Sequence, residues 1–173
     1  MRVGPVGAYF ADDLDAAVDQ ARASAQVTHM HPDGQAGAIA TAVAAACVWT
    51  WRNSDLPPHR QQLIPVVMER TPAGPTRAGL EKAARLPLTA SVDEAVRLLG
   101  NGDHVTCRDT VPFCLWCAAR HLDSYEEALW TAASAFGDMD TNCAIVGSIV
   151  SLAVGPEGIP RDWLVAREPL PLA

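Results

Sequence analysis

The sequence predicts an all-α fold, and three observations support this prediction. Apolar residues recur at spacings of three and four, no segment shows sustained alternation of apolar and polar residues, and capping patterns precede several of the apolar segments. The 173 residues are enough for one core, so residues 1–173 are expected to form a single domain. We expect about eight or nine helices in this helical bundle.

The first third of the chain contains two predicted helices. Asp12 and Asp13 are expected to cap the first of them. Its apolar face consists of Leu14, Ala17, Val18, Ala21 and Ala25. Residues 28–34 are polar and contain Pro32, which predicts a loop. An Ala-rich helix is expected over residues 34–51, where small side chains permit close packing of neighbouring helices.

The middle of the chain alternates between helices and proline-rich breaks. The predicted elements, in order, are a break at 53–58, a helix over 59–69, a break at 71–75 and a helix over 76–85. Ser91 and Glu94 form a capping box that opens the next helix. That helix is expected to end near Leu99, with Gly100 as its stop signal.

The last third begins with a predicted loop over residues 101–108. Asp109 or Thr110 is expected to cap the following helix, with Pro112 in its first turn, where proline is tolerated. The remaining predicted elements are a helix opened by the capping box of Ser124 and Glu127 and ending near Ala135, a loop at 137–141, an apolar helix over 142–154, a helical turn at 159–164 and a frayed proline-rich end at 167–173.

The composition excludes several classes of function. The formal net charge is −7 and no basic patch offsets it, which argues against binding of duplex nucleic acid or an anionic membrane. The longest apolar runs, 36–49 and 143–154, are shorter than the ~20 residues of a spanning helix. Five cysteines among apolar neighbours indicate reduced, packed thiols, so we expect a cytoplasmic protein.

An acidic segment precedes the last long apolar helix. Asp138 and Asp140 stand two residues apart and Thr141 follows, so their side-chain oxygens can converge on one point. Carboxylate and hydroxyl oxygens are the ligands that Mg²⁺ and similar hard cations prefer. The same residues can instead cap the helix and complement its dipole. The spacing alone leaves both interpretations open.

Other patterns carry less functional information. Cys114 and Cys117, with Cys107 before them, could indicate zinc, but no second ligand pair follows at finger spacing and the apolar surroundings favour a buried core. Gly100 to Gly102 lacks the lysine and the preceding strand of a phosphate loop.

Four segments together resemble the C-terminal half of the ADP-ribosylglycohydrolase family, which includes dinitrogenase reductase-activating glycohydrolases. Residues 137–147, G-D-M-D-T-N-C-A-I-V-G, resemble its G-D-x-D-T-N/T-x-A-x-x-x-G segment, and 159–164, I-P-R-D-W-L, resemble its I-P-x-x-W-L ending. Residues 28–38 resemble T-H-x-x-P-x-x-x-x-G-A, and the two segments 99–102 and 109–112 resemble the loop and helix start between them. Residues 1–7 are similar to an internal M-R-x-x-P-x-G segment.

The resemblance implies an all-α bundle with two divalent cations, Mg²⁺ or Mn²⁺. Asp138, Asp140 and Thr141 match its metal ligands, and the two aspartates are also expected to be catalytic. His29 matches a histidine that contacts ADP-ribose near the diphosphate. Met1, Arg2 and Val105 are the remaining expected substrate-binding residues, with Val105 toward the nucleoside end.

The function implied by the resemblance is hydrolysis at the anomeric carbon of an ADP-ribosyl group on a protein or small-molecule acceptor. The family's T-D-D-T segment is missing, so we expect an incomplete metal site in a fold truncated on its N-terminal side. This chain alone is then expected to be weak or inactive as an enzyme. Self-association, or a chain that supplies the N-terminal half, is a possible partnership. The alternative is an inactive remnant that binds ADP-ribose or another protein.

Overall fold

The computed structural model describes residues 1–54 and 59–169, and every regular element in these ranges is helical. The helices are α1 (Gly4–Tyr9), α2 (Leu14–Gln26), α3 (Pro32–Arg52), α4 (Arg60–Arg70), α5 (Pro75–Arg85), α6 (Val92–Leu99), α7 (Cys107–Arg120), α8 (Tyr125–Ala133), α9 (Met139–Val154) and α10 (Arg161–Ala166). A single 3₁₀ turn, Pro156–Gly158, lies between the last two. The predicted all-α class is therefore confirmed.

Two central helices organise the core. Helix α3 packs against α1, α2, α4, α5, α7 and α9, while α7 packs against α3 to α6, α8 and α9. Helix α1 approaches the Ala-rich helix α3 closely. A Cβ atom on Gly7 of α1 would lie 2.0 Å from the carbonyl oxygen of Ala42, so the contact requires glycine at position 7. The largest fully buried side chains include Trp116, Phe113, Ile39 and Leu63.

Several helix starts follow from side-chain caps that the sequence predicted. Asp13 accepts hydrogen bonds from the backbone N–H groups of Asp15 and Ala16, at 3.1 and 3.0 Å. Ser91 and Ser124 accept from the backbone of Glu94 and Glu127 in the same way, at 3.2 and 3.3 Å. Each bond satisfies one of the donors that the first turn of a helix leaves free.

Helix α10 is held by aromatic contacts. The ring of Trp163 meets Tyr125 edge-to-face at a centroid distance of 6.1 Å and Trp130 at 6.4 Å. The I-P-R-D-W-L segment therefore anchors the end of the described chain to α8 through its tryptophan.

One helix was not predicted, and three predicted helix starts were wrong. Residues 4–9 form α1, which the sequence did not suggest because its glycines and proline weaken the helical pattern. Helix α3 begins at Pro32 because His31 caps it. Helices α7 and α9 begin earlier than predicted, at Cys107 and Met139, because Thr106 and Asp138 are the capping positions.

Pro112 consequently lies inside α7 rather than in its first turn. Because proline has no backbone N–H, the carbonyl of Arg108 has no intrahelical donor. Parts of two further predictions, the break at 53–58 and the frayed end at 167–173, fall on residues 55–58 and 170–173, which lie outside the described residues.

The cysteines lie where the sequence predicted packed thiols. All five cysteines are free thiols, and Cys114 and Cys117 lie in the core, which favours the packing role over zinc. Among the described residues, none of the helices has the length and apolar character required to cross a bilayer.

We expect Leu115→Ala to lower the free energy of unfolding by about 2–5 kcal/mol, because it empties a fully buried position in α7. Leu98→Ala removes the same atoms from a side chain that is 41% exposed, and its cost should stay below about 1.5 kcal/mol. Urea denaturation of the two variants measures the difference. Equal losses would show that α7 is not the centre of the core.

Candidate functional site

One large cavity opens where four parts of the chain meet. It has a volume of about 710 Å³, within the range of sites that enclose a small organic ligand. Its walls come from the first three residues, the junction of α2 and α3, the segment that leads into α7, and the first turns of α9. Residues far apart in sequence are therefore brought to one concave surface.

Most of the site residues expected from the sequence line this cavity. They are Met1, Arg2, His29, Val105, Asp138 and Thr141. Asp140 does not line it: this residue is exposed in the first turn of α9. The cavity places these side chains together, while the functional role of each stays a prediction.

Asp138 both caps α9 and faces the cavity. Its Oδ1 accepts a hydrogen bond from the backbone N–H of Thr141 at 3.3 Å, and its own carbonyl accepts from Asn142 N at 2.9 Å. None of the described residues donates a hydrogen bond to the Oδ2 of Asp138. Capping thus uses one carboxylate oxygen and leaves the other for a ligand, so the two interpretations of this segment are compatible.

A buried asparagine ties the start of α9 to the loop that follows α6. The Nδ2 of Asn142, whose side chain is fully buried, donates to the carbonyl oxygen of Asn101 at 2.7 Å. The same carbonyl accepts from the backbone N–H of Asp138 at 3.3 Å. In turn the Nδ2 of Asn101 donates to the carbonyl of Ala135 at 3.1 Å. Asp138 is therefore fixed from both sides of its own backbone.

Gly102 permits this close approach. It has a φ of +93°, and a Cβ atom there would lie 2.8 Å from the Cβ of Asp138. A larger residue would be strained by its backbone angle and would also push Asp138 away. Packing against Asp138 thus requires glycine at position 102.

Asp109 holds the other end of this loop. Its Oδ2 accepts from the backbone N–H of His104 at 2.8 Å, and its carbonyl accepts from Gly102 N at 3.0 Å. This explains why Asp109 does not cap α7: its carboxylate is used one turn earlier in the chain. The loop then places Val105 at a φ of +51° with 82% of its surface exposed at the cavity. Such a backbone costs a β-branched residue about 1–3 kcal/mol.

The opposite wall is built around Thr28. Its Oγ1 lies 2.7 Å from His29 Nδ1 and accepts from Arg2 Nη2 at 3.2 Å. Arg2 Nη2 also donates to the carbonyl of Ser24 at 2.6 Å. When the hydroxyl of Thr28 donates to Nδ1, the neutral ring of His29 carries its proton on Nε2. That tautomer presents a hydrogen-bond donor to an acidic ligand.

Sequence reasoning missed several polar residues that also line the cavity, among them His31, Asp33 and Arg108. His31 caps α3, with its Nδ1 accepting from Asp33 N at 3.1 Å. Oδ1 of Asp33 accepts from the backbone N–H and the hydroxyl of Thr76, at 2.9 and 2.8 Å. Arg108 lies in the first turn of α7. Pro32 was a signal for the first two, because proline favours the first turn of a helix and so predicts capping residues beside it.

Cys107 is a wall residue with a suppressed reactivity. Burial raises the pKa of its thiol, and the negative charge of Asp33 raises it further. The thiol is therefore neutral at physiological pH, and the thiolate that a nucleophile requires is scarce.

The donor set at the cavity fits a hard cation in kind but not in number. Asp138 and Thr141 present a carboxylate and a hydroxyl on the wall, whereas Mg²⁺ requires about six oxygen ligands. The described ranges contain no group of three or more His, Cys, Asp or Glu side chains placed to hold a metal. These residues can hold only part of a metal site.

Comparison with known proteins identifies the family. The family model described as ADP-ribosylglycohydrolase matches residues 1–170. The chain is similar to an uncharacterized protein of Archaeoglobus fulgidus, with 32% identity over 95% of this chain and 50% of the relative. It is also similar to ADP-ribosylhydrolase ARH3 of Homo sapiens and of Bos taurus, with 27% and 29% identity over 83% of this chain and 46% of each relative. The chain spans about half the length of the curated relatives it matches.

We expect Asn142→Asp to lower the free energy of unfolding by roughly 2–4 kcal/mol, because it replaces the buried donor to Asn101 with a carboxylate that faces a carbonyl. Asn53→Asp is the matched control: Asn53 Nδ2 also donates to a carbonyl, that of Trp49 at 2.8 Å, but it is exposed. Its cost should be below about 1 kcal/mol. Urea denaturation compares them, and similar losses would contradict the bracing role of Asn142.

Proposed function

The chain belongs to the ADP-ribosylglycohydrolase family, and from this premise we propose that it forms the ADP-ribose-binding side of a hydrolase that releases ADP-ribose from ADP-ribosylated acceptors. One observation carries the proposal. Residues from four of the segments that match the family's motifs, 1–7, 28–38, 109–112 and 137–147, line a single cavity of about 710 Å³, whereas the segment 159–164 does not. A chance resemblance of short motifs would not bring them together in space.

The proposed position of the ligand follows from the chemistry of the walls. His29 presents a ring N–H to the diphosphate, with Arg2 beside it. The exposed side chain of Val105 offers an apolar contact for the nucleoside end. The distal ribose, which carries the bond to be broken, then lies beside Asp138 and Thr141.

We propose that Asp138 is the reactive carboxylate of this chain. Cleavage at the anomeric carbon passes through a state with oxocarbenium character, and a carboxylate beside the ribose stabilises that positive charge. A carboxylate can also accept a proton from the attacking water. The hydrogen bonds of its backbone keep Asp138 in place. This matters because a displacement of about 1 Å in a reacting group lowers the rate of catalysis.

We also propose that Asp138, Thr141 and Asp140 supply part of a Mg²⁺ or Mn²⁺ site. A divalent cation, when bound, would orient the ribose hydroxyls and offset developing negative charge. Asp140 is the weakest member on geometry, since it is exposed and outside the cavity wall. The remaining ligands would be water or residues beyond this chain.

Binding of ADP-ribose without turnover is the second candidate function. The donor count favours it, because Asp33 and Asp138 are the carboxylates that line the described cavity and Asp33 is already bonded to Thr76. Release of ADP-ribose from an ADP-ribosylated peptide separates the candidates. Release by the chain supports the hydrolase, whereas binding without release supports the second candidate.

Asp138→Asn should weaken the binding of ADP-ribose in the presence of Mg²⁺ by about tenfold or more, since asparagine caps a helix but is a poor cation ligand. Asp140→Asn should have a smaller effect in the same direction. Asp13→Asn, a capping residue of α2 that does not line the cavity, is the control and should leave affinity unchanged. Calorimetric titration with Mg²⁺ or with a chelator measures these effects.

Equal affinity for all three variants, with no dependence on Mg²⁺, would contradict the metal-binding role of the acidic segment. Failure of the unaltered chain to bind ADP-ribose at all would contradict the proposed ligand.

A further inference from the structure

The cavity contains an arginine that neither the family motifs nor the proposed roles use. Arg108 is exposed in the first turn of α7 and lines the large cavity. It also lines a second cavity of about 420 Å³, beside the end of α6 and the loop that follows it. Arg108 therefore lies at the partition between two concave surfaces.

Arg108 is the arginine of this cavity whose guanidinium is free to bind a ligand. Within the described ranges its guanidinium makes no hydrogen bond and no ion pair. The other arginine of the large cavity, Arg2, already donates through Nη2 to Ser24 and Thr28. Asp33 and Asp138 make the rest of the wall acidic. A ligand with negative charge requires a cation there, and Arg108 is the one whose guanidinium is uncommitted.

The neighbouring threonine provides a second, independent observation. The Oγ1 atom of Thr106 is buried and has no hydrogen-bond partner among the described residues. It does not cap α7, although Thr106 occupies the capping position. Thr106 lines the same two cavities as Arg108. A buried hydroxyl without a partner costs stability unless a ligand or water satisfies it.

We propose that Arg108, with the hydroxyl of Thr106, binds the phosphate groups of the nucleotide ligand. A guanidinium fork matches two phosphate oxygens, and the Thr106 hydroxyl, which rotation about χ1 would bring from its buried position to the cavity, donates to a third. The inference rests on the proposed function, since ADP-ribose supplies the diphosphate. It adds a charge contact from the first turn of α7.

The test compares ligands with and without phosphate. The purified 173-residue chain is titrated calorimetrically with ADP-ribose, with adenosine and with inorganic phosphate, at low and at high NaCl. Arg108→Gln should weaken ADP-ribose binding roughly 10- to 100-fold and reduce its dependence on salt. Affinity for adenosine should not change. Thr106→Val should produce a smaller loss, again confined to the ligands that carry phosphate.

Two further variants guard against a structural explanation. Arg97→Gln removes an exposed arginine that lines only the second cavity, so it should bind ADP-ribose normally. Arg108→Lys keeps the charge but loses the fork, and it should bind with intermediate affinity.

The outcomes are distinguishable. The inference is overturned if Arg108→Gln loses no more affinity than Arg97→Gln, or if it weakens adenosine by the same factor as ADP-ribose. Tight binding of inorganic phosphate that does not compete with ADP-ribose would assign Arg108 to the second cavity and would also overturn it. If the unaltered chain binds no ADP-ribose, the proposed function fails and this inference fails with it.

Discussion

The cavity depends on a single carbonyl oxygen, that of Asn101. It accepts hydrogen bonds from the buried amide of Asn142 and from the backbone N–H of Asp138, at 2.7 and 3.3 Å. The start of α9 and the loop after α6 are thereby joined, and Gly102 allows the contact because it has no Cβ atom to displace Asp138. A polar network buried in this way is stable only when each member is satisfied, so it fixes one arrangement of the acidic wall.

One wall of the cavity follows from this fixed point. Asp109 holds the same loop from the side of α7, and the chain between the two anchors places Val105 in a left-handed conformation at the cavity. The wall around Thr28 does not depend on the hydrogen bonds to Asn101, since Arg2, Thr28 and His29 form their own hydrogen-bonded group. A ligand would therefore be held between a rigid wall that contains Asp138 and a separate wall that contains Arg2 and His29.

Sequence patterns predicted the helical fold and most of the cavity because both depend on local signals. Ser91, Ser124 and Asp13 cap helices through contacts within three residues, so their roles could be inferred without a structure. The start of α9 was misplaced because a tertiary contact positions Asp138: its backbone N–H donates to the carbonyl of Asn101. The start of α7 was misplaced because Asp109 bonds back to His104 instead of capping. Arg108 was missed because nothing near it in sequence shows that it faces the same cavity as His29.

The central claim is that this cavity binds ADP-ribose in one orientation. A crystal structure determined from crystals of the chain soaked with ADP-ribose tests it most directly. The account predicts the distal ribose beside Asp138 and Thr141, the diphosphate between His29 and the first turn of α7, and the adenosine near Val105. Density for the ligand outside this cavity, or in it with the ribose away from Asp138, would contradict the account.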